Sequence, residues 1–274
     1  MDVNFLFLNI KMKIASFTQT YGDKRFLNLQ LLQHDTIGND FRNRCDIIVF
    51  SFHNCAESFV AKSTELLQQI YPKSKLQILI HNDVQYLESI QKSLLYLKGR
   101  GVDYILQIQD DQHGVNTIEN LKNMKNIGDI FKCLDRCEMD YLHIFENEGN
   151  KEFNRLTPKV EISIENTKFY SYDSRDFKNV NIYAWNDGTY FAKIKFMDAL
   201  FGIPNLPQDV WGLELALKAI FDQHAITRWG IDKLYFKASN LYGSNVNTKL
   251  TQEDNLKRFF GELPSWEKIR KMLK

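Results

Sequence analysis

The chain of 274 residues is poor in the features that mark several special classes of protein. Proline occurs only five times, and no stretch is rich in Pro, Gly or Ser, so nothing reads as an interdomain linker or a fibrous repeat. The four cysteines, Cys45, Cys55, Cys133 and Cys137, form no Cys-x-x-Cys pair. That argues against both a disulfide framework and a four-ligand zinc ribbon. Cys133 and Cys137 stand four apart and would share a helical face as buried or idle thiols. A net charge of +1 gives no electrostatic case for nucleic acid as the main partner. The apolar run Phe5-Leu-Phe-Leu8 is too short to cross a membrane, and it lacks the basic lead and the cleavage site of a signal peptide. A reducing, cytoplasmic setting is therefore the expectation. Glycine-rich phosphate loops are missing too. There is no Gly-x-x-x-x-Gly-Lys, no Gly-x-Gly-x-x-Gly and no Gly-x-Ser-x-Gly, which argues against a P-loop, a dinucleotide fingerprint and a hydrolase elbow.

What remains is an ordinary core-forming composition, 44% hydrophobic and 25% charged, sufficient for one large domain. Met12 directly precedes a strand-like run, so residues 1–11 read as an extension ahead of a domain over 12–274. The first half alternates. Strands are expected at Lys13–Thr18, Cys45–Phe52, Leu76–Ile80 and from Tyr104; helices at Ala56–Tyr71 and Val84–Lys98, on the 3.6-residue recurrence of apolar side chains. Strand–helix alternation with right-handed crossovers implies a mostly parallel sheet whose carboxyl ends form one rim. The second half differs. It shows a helical stretch Thr117–Cys137 interrupted near Gly128, a short strand Tyr141–Phe145 and a hairpin of Val160–Ile164 with Lys168–Tyr172. A strand region Asn181–Phe196 split at Asn186-Asp-Gly188, a helix Asp209–Gln223 and a strand Leu234–Phe236 follow, then an amphipathic helix Ser265–Lys274. The fold class is α/β: a mostly parallel, Rossmann-like sheet flanked by helices, with a smaller antiparallel portion.

The segment Tyr104-Ile-Leu-Gln-Ile-Gln-Asp-Asp-Gln-His-Gly114 runs an apolar strand into two carboxylates, Asp110 and Asp111. Charge at the rim of an α/β sheet suits a hard cation carrying phosphates. The plainer alternative is a strand that ends in a solvated acidic turn.

Four segments in this order resemble a nucleotide-sugar-dependent glycosyltransferase of the GT-A fold. They are Ile14-Ala-Ser-Phe-Thr-Gln-Thr-Tyr21, Leu79-Ile-His-Asn-Asp83, Tyr104 to Asp111 and Gln208-Asp-Val-Trp211. The resemblance implies a nucleotide-binding half over about 12–115 and an acceptor-binding half over about 116–250. It also implies an Asp-x-Asp motif that holds Mn²⁺ or Mg²⁺ against the diphosphate. Here the motif reads Gln109-Asp110-Asp111, so Asp111 keeps the metal-facing place and Gln109 replaces the first acid. Asp187-Gly-Thr-Tyr-Phe-Ala192 resembles the strand that opens the acceptor pocket. Asp209 matches the general base of inverting members, with Glu214 in reserve. The structural alternatives are a helix N-cap for Asp209 and an exposed helix face for Glu214.

The remaining candidates follow from the same resemblance. Thr18, Gln19, Thr20 and Tyr21 would meet the base and ribose, or else form a polar turn. Arg25 would meet phosphate. Asn82 and Asp83 would reach the nucleoside, or else cap the helix after them. Trp185, Asp187 and Trp211 would receive the acceptor, although large aromatics commonly lie in cores. Many members supply a further metal ligand near the C-terminus, often a histidine, and Ser239-Asn-Leu-Tyr-Gly-Ser-Asn245 has no histidine. The implied function is metal-assisted sugar transfer from a nucleotide-sugar donor, a UDP-sugar among the candidates, to a hydroxyl of a glycan or glycolipid. A glycolipid acceptor would bring peripheral membrane contact without a transmembrane segment. Two alternatives stand beside it: a sugar nucleotidylyltransferase, whose Gly-x-Gly-Thr-Arg start is missing here, and a non-catalytic carbohydrate-binding or assembly protein of the same fold.

Overall fold

The structure, a computed structural model, describes residues 12–21, 26, 30, 33, 37–110, 112–114, 126–144, 155–180, 184–185, 188–232 and 236–238. The expected extension 1–11, Arg25, Asp111, Asp187, the first part of the Thr117–Cys137 helix, the segment Ser239–Asn245 and the helix Ser265–Lys274 lie outside these residues.

The elements run β1 (Ile14–Thr20), α1 (Ile37–Arg44), β2 (Ile47–His53), α2 (Glu57–Ile70), β3 (Leu76–His81), α3 (Tyr86–Gly99), β4 (Tyr104–Gln107) and β5 (Gln112–Gly114). They continue with α4 (Ile127–Arg136), β6 (Tyr141–His143), β7 (Val160–Ile164), β8 (Thr167–Asp173), β9 (Tyr190–Lys193), α5 (Ile194–Phe201), α6 (Val210–Gln223), β10 (Thr227–Ile231) and β11 (Phe236–Ala238). Among the described residues nine strands form one sheet in the order β3-β2-β1-β4-β9-β6-β10-β8-β7, while β11 pairs with β5 apart from it. The block β3-β2-β1-β4 is parallel throughout. Strand β9 runs antiparallel to both β4 and β6, and β8 runs antiparallel to β7 and β10. The mostly parallel core with an antiparallel flank is the architecture that the alternation implied.

β1 is buried at all seven positions, as a central strand covered on both faces must be. Its period-2 alternation sends Ala15 and Phe17 to one face, with Val49 and Ile105 beside them, against Leu87, Ile90, Leu94 and Leu97 of α3. Helices α5 and α6 complete that layer with Met197, Leu213, Leu217 and Phe221. The other face carries Ile48, Phe50 and Phe52 against α2, and Ile14, Tyr104 and Leu106 against Phe41 of α1 and Ile130 of α4. Among the described residues no helix is long and apolar enough to cross a membrane.

Three expectations are corrected. Strand β1 continues to Thr20, so Thr18, Gln19 and Thr20 are strand residues and not a polar turn. The helix before β4 begins at Tyr86 instead of Val84, with Gln85 at its N-cap, so neither Asn82 nor Asp83 caps it. The region Asn181–Phe196 is not strand to its end: β9 stops at Lys193 and α5 starts at Ile194. Apolar side chains at 194, 197, 200 and 201 recur at helical spacing, and burial of that stripe on α3 outweighs the β-propensity of the first residues.

Helix α1 had no counterpart in the sequence reading, and it delivers a fully buried arginine. Arg42 donates to Thr18 Oγ1 at 2.9 Å, Gln30 Oε1 at 3.0 Å and Tyr71 OH at 2.7 Å. Its guanidinium also lies over the rings of Phe50 and Tyr71, at 5.0 and 5.6 Å. These bonds tie β1, α1 and the end of α2 together below the rim. Replacing Arg42 by Ala removes three hydrogen bonds at once and leaves a cavity, so stability should fall by about 3 kcal/mol or more. Arg42→Lys should recover only part of that, because an ammonium lacks the planar fork. Urea denaturation of the two variants checks both statements.

Candidate functional site

The strand order places a topological switch between β1 and β4: the chain steps outward to β2 and β3, then returns across β1 to β4. Helices leaving on opposite faces part at such a point and open a crevice at the carboxyl ends of the strands. A cavity of about 70 Å³ lies there. As it stands this is room for a few waters or the edge of a small ring.

The sheet wall of the cavity is Phe17 and Gln19 of β1 with Ile105, Gln107 and Gln109 of β4 and its end. Tyr86 and Ile90 line it from α3, and Trp185 and Tyr190 from the β9 side. The fourth wall is α6, through Val210, Leu213, Glu214 and Leu217. These four recur at i, i+3, i+4 and i+7, the inward stripe of a helix. Glu214 is therefore half-buried on the cavity wall and not on an exposed helix face, which corrects the expectation for it. The spacing was visible in the sequence: an acid stands in the middle of an apolar stripe.

Gln19 is held in place. Its Nε2 donates to Ser89 Oγ at 2.6 Å, and Ser89 Oγ donates on to Tyr86 O at 2.7 Å. The backbone of Gln109 accepts from Gln33 Nε2 at 3.0 Å, so the end of β4 is fixed from the other face. Carboxamides both donate and accept, which suits hydroxyl groups.

The rim above the cavity is aromatic. Tyr21, 45% exposed, stacks on Tyr86 with centroids 5.3 Å apart and meets His53 edge-on at 5.2 Å. Its phenol is pushed far above the usual tyrosine range, first by desolvation, then by Tyr86 and the charge of Asp110. Cys55 is raised to about 11, again chiefly by burial, with Asp110 adding to it. Asp110 thus acts electrostatically on both neighbours at the head of the sheet. His81 Nε2 lies 2.9 Å from Ser93 Oγ, and its pKa is lowered by burial first and by Lys92 second.

The expected site residues fall into three groups. Gln19, Gln109, Trp185 and Glu214 meet at the cavity, with Tyr21 and Asp110 at the rim. Thr18 faces the opposite side of the sheet, where its hydroxyl accepts from Arg42, and Thr20 is fully buried. Asn82 and Asp83 are exposed beyond β3, with Asp83 at a φ of 57° and its amide bonded to Asn54 Oδ1. Trp185 packs within an aromatic group, stacked on Tyr141 at 5.6 Å and tilted against Phe221 at 5.3 Å, while its edge reaches the cavity. Trp211 is 70% exposed on the outer side of α6.

Asp209 is the N-cap of α6, its Oδ1 accepting from Gly212 N at 2.8 Å. The turn is tight. A Cβ at Gly212 would lie 2.7 Å from Pro207 Cβ and 2.8 Å from Asp209 Oδ2, which explains glycine there. The residues that the sequence reading missed are Tyr86, Gln107 and Tyr190 on the cavity wall and Ser89 and Gln33 behind it. Tyr86 and Ser89 were legible only as part of an amphipathic helix.

No protein-family model and no curated protein matches the chain. Among solved structures, TarS of S. aureus superposes over 93% of this chain at 14% identity with a TM-score of 0.47. The chain spans only 44% of the length of that protein. A 4-diphosphocytidyl-2C-methyl-D-erythritol synthase from Anaerococcus prevotii matches 92% of this chain and 97% of its own, at 13% identity and a TM-score of 0.45. A UDP-glucose pyrophosphorylase complexed with UDP-glucose matches 80% of this chain and 90% of its own, at 12% identity and 0.43.

Two outcomes follow from the geometry. Asp209→Ala should lower stability by about 1 kcal/mol through loss of the cap, and Asp209→Asn should retain most of it, as thermal or urea unfolding will show. Alkylation of Cys55, followed site by site by mass spectrometry, should still be climbing with pH above the range where an ordinary thiol has levelled off, and should level off only near pH about 11, because burial disfavours the thiolate. Asp110→Asn should move that levelling to lower pH.

Proposed function

We propose that the chain is a transferase that passes a sugar from a nucleotide-sugar donor to a hydroxyl of a glycan or glycolipid acceptor. The observation that supports this reading most is the cavity at the β1/β4 switch point, which Gln19, Gln107 and Gln109 line together with Glu214, the one carboxylate among the described lining residues. Such a wall can bind hydroxyls on one side and take a proton on the other. In the proposed step the acceptor oxygen forms its bond to the anomeric carbon as the bond from that carbon to the diphosphate oxygen breaks. The acceptor proton passes to Glu214. We assign the base to Glu214 ahead of Asp209, because Glu214 lines the cavity and Asp209 is not among the lining residues described. Attack opposite the leaving group would invert the anomeric centre.

The reading includes Mn²⁺ or Mg²⁺ at the strand end, with Asp111 as ligand and Asp110 beside it; the ion would neutralise the diphosphate. Among the described residues no three His, Cys, Asp or Glu side chains come together to hold a metal ion, so this part rests on the segment 109–111. A non-catalytic carbohydrate-binding protein is the second reading, and the mostly uncharged lining of the cavity favours it.

Incubation with a panel of nucleotide sugars separates the readings. Release of nucleoside diphosphate supports transfer, pyrophosphate formation points to a nucleotidylyltransferase, and binding without turnover points to the non-catalytic protein. Glu214→Gln should lower turnover by about 10²–10⁴-fold with donor binding intact, while Asp209→Asn, which keeps the cap, should retain most of it. The reverse pattern would return the base to Asp209. Calorimetric binding of a nucleoside diphosphate with Mn²⁺ should be lost in Asp111→Ala, and unchanged binding would remove the metal from the reading.

A further inference from the structure

A second cavity, of about 220 Å³, lies at the opposite edge of the sheet, where β1, β2 and β3 begin. Lys13, Lys75 and Arg100 line it with the hydroxyl residue Ser74, and Asp46 is the one carboxylate among the described lining residues. The two ammonium groups are fixed in position. Lys13 Nζ donates to Arg100 O at 2.8 Å, and Lys75 Nζ donates to Asn43 O and Cys45 O at 2.8 and 2.9 Å. These carbonyls belong to the ends of α3 and α1, so the lysines also offset the negative ends of two helix dipoles. One N–H of Lys75 and two of Lys13 remain.

Arg100 differs. Its guanidinium lies over the Tyr96 ring at 5.2 Å, and it takes no carboxylate or carbonyl partner among the described residues. Tyr96 is itself held by a 2.7 Å bond from its hydroxyl to Gln77 Oε1. The arginine fork is thus supported on an anchored ring with its donors unused. Asp46 accepts the amide of Ile14 at 3.0 Å, and nearby Asp103, outside the lining, accepts the amide of Lys13 at 2.8 Å. With Asp103 and the two helix ends counted beside Asp46, the charge is close to balanced, and what the site holds in excess is unused donors, those of Arg100 above all.

We infer that this cavity is a binding site for a phosphate-type oxyanion, either free phosphate or the phosphate of a small monoester. Arg100 supplies the planar pair of donors and Lys13 and Lys75 supply point charges, the complement of a tetrahedral dianion. The volume exceeds the roughly 30 Å³ share of one liquid water several-fold, so the ester group of a small phosphate also fits. The site lies at the far rim from the candidate active site and is independent of the transferase reading.

Calorimetric titration at low ionic strength, with inorganic phosphate and separately with a hexose 6-phosphate, tests it. The expected result is saturable binding of one ligand per chain, weakened about tenfold or more in Arg100→Gln and in Lys13→Gln and unchanged in Asp110→Asn. Tighter binding of the ester assigns the site to an organic phosphate, and equal binding assigns it to the free ion. Absence of saturable binding to the unaltered chain overturns the proposal. So does binding that survives Arg100→Gln or that responds only to Asp110→Asn. Melting temperatures without phosphate verify that each variant is folded, and exposed Arg100 is the substitution least coupled to stability.

Discussion

The right-handed crossover is the constraint on which the site depends. Moving from β1 to β2 to β3 places α1 and α2 on one face of the sheet. Returning from β3 across β1 to β4 reverses the direction, so the same handedness puts α3 on the other face. The helices must separate over the join of β1 and β4, and the carboxyl ends of those strands are left uncovered. Gln19 and Gln107 stand at that join because the alternation of β1 and β4 turns them to the α3 face. The antiparallel flank then closes the crevice: α5 follows β9 without a break, and α6 packs against α3 beside it.

Polar groups near the opening are held from both faces. On one side Gln19 leans on Ser89 of α3; on the other, Thr18 and the Gln109 backbone are held by Arg42 and Gln33. A buried arginine surrounded by neutral oxygens and ring faces is costly unless most of its donors are met, and here they span three elements. The strand ends at the opening are thus fixed by hydrogen bonds from both faces of the sheet.

The two edges of the parallel block differ in charge. The carboxyl edge has carboxamides, aromatic rings and the acids Asp110 and Glu214. The amino edge gathers Lys13, Lys75 and Arg100, since lysines there meet the carbonyl ends of α1 and α3. A parallel α/β layer produces this polarity by itself: every helix C-terminus faces the edge at which the next strand begins.

Much of the architecture was written in local pattern. Alternating strands and helices, the buried strands at Ile47–His53 and Tyr104–Gln107, and the helix that begins after Asp209 all follow from periodicity and turn chemistry, which depend on neighbours in sequence. Arg42, Ser89 and Gln33 were not legible, because each is defined by a partner dozens of residues away. The placement of Asp209 at the start of α6 and of Glu214 within it was decided in the same way. Their residue types and spacing were evident, but only the packing of α6 against the crevice turned Glu214 inward while the first turn of that helix took up the carboxylate of Asp209. Sequence by itself determined most of the first-half strands and helices and the order of their ends, but not α1, α5 or β10. Tertiary structure decided which side chains those ends bring together, because a face of a strand or helix acquires meaning only from what is packed on it.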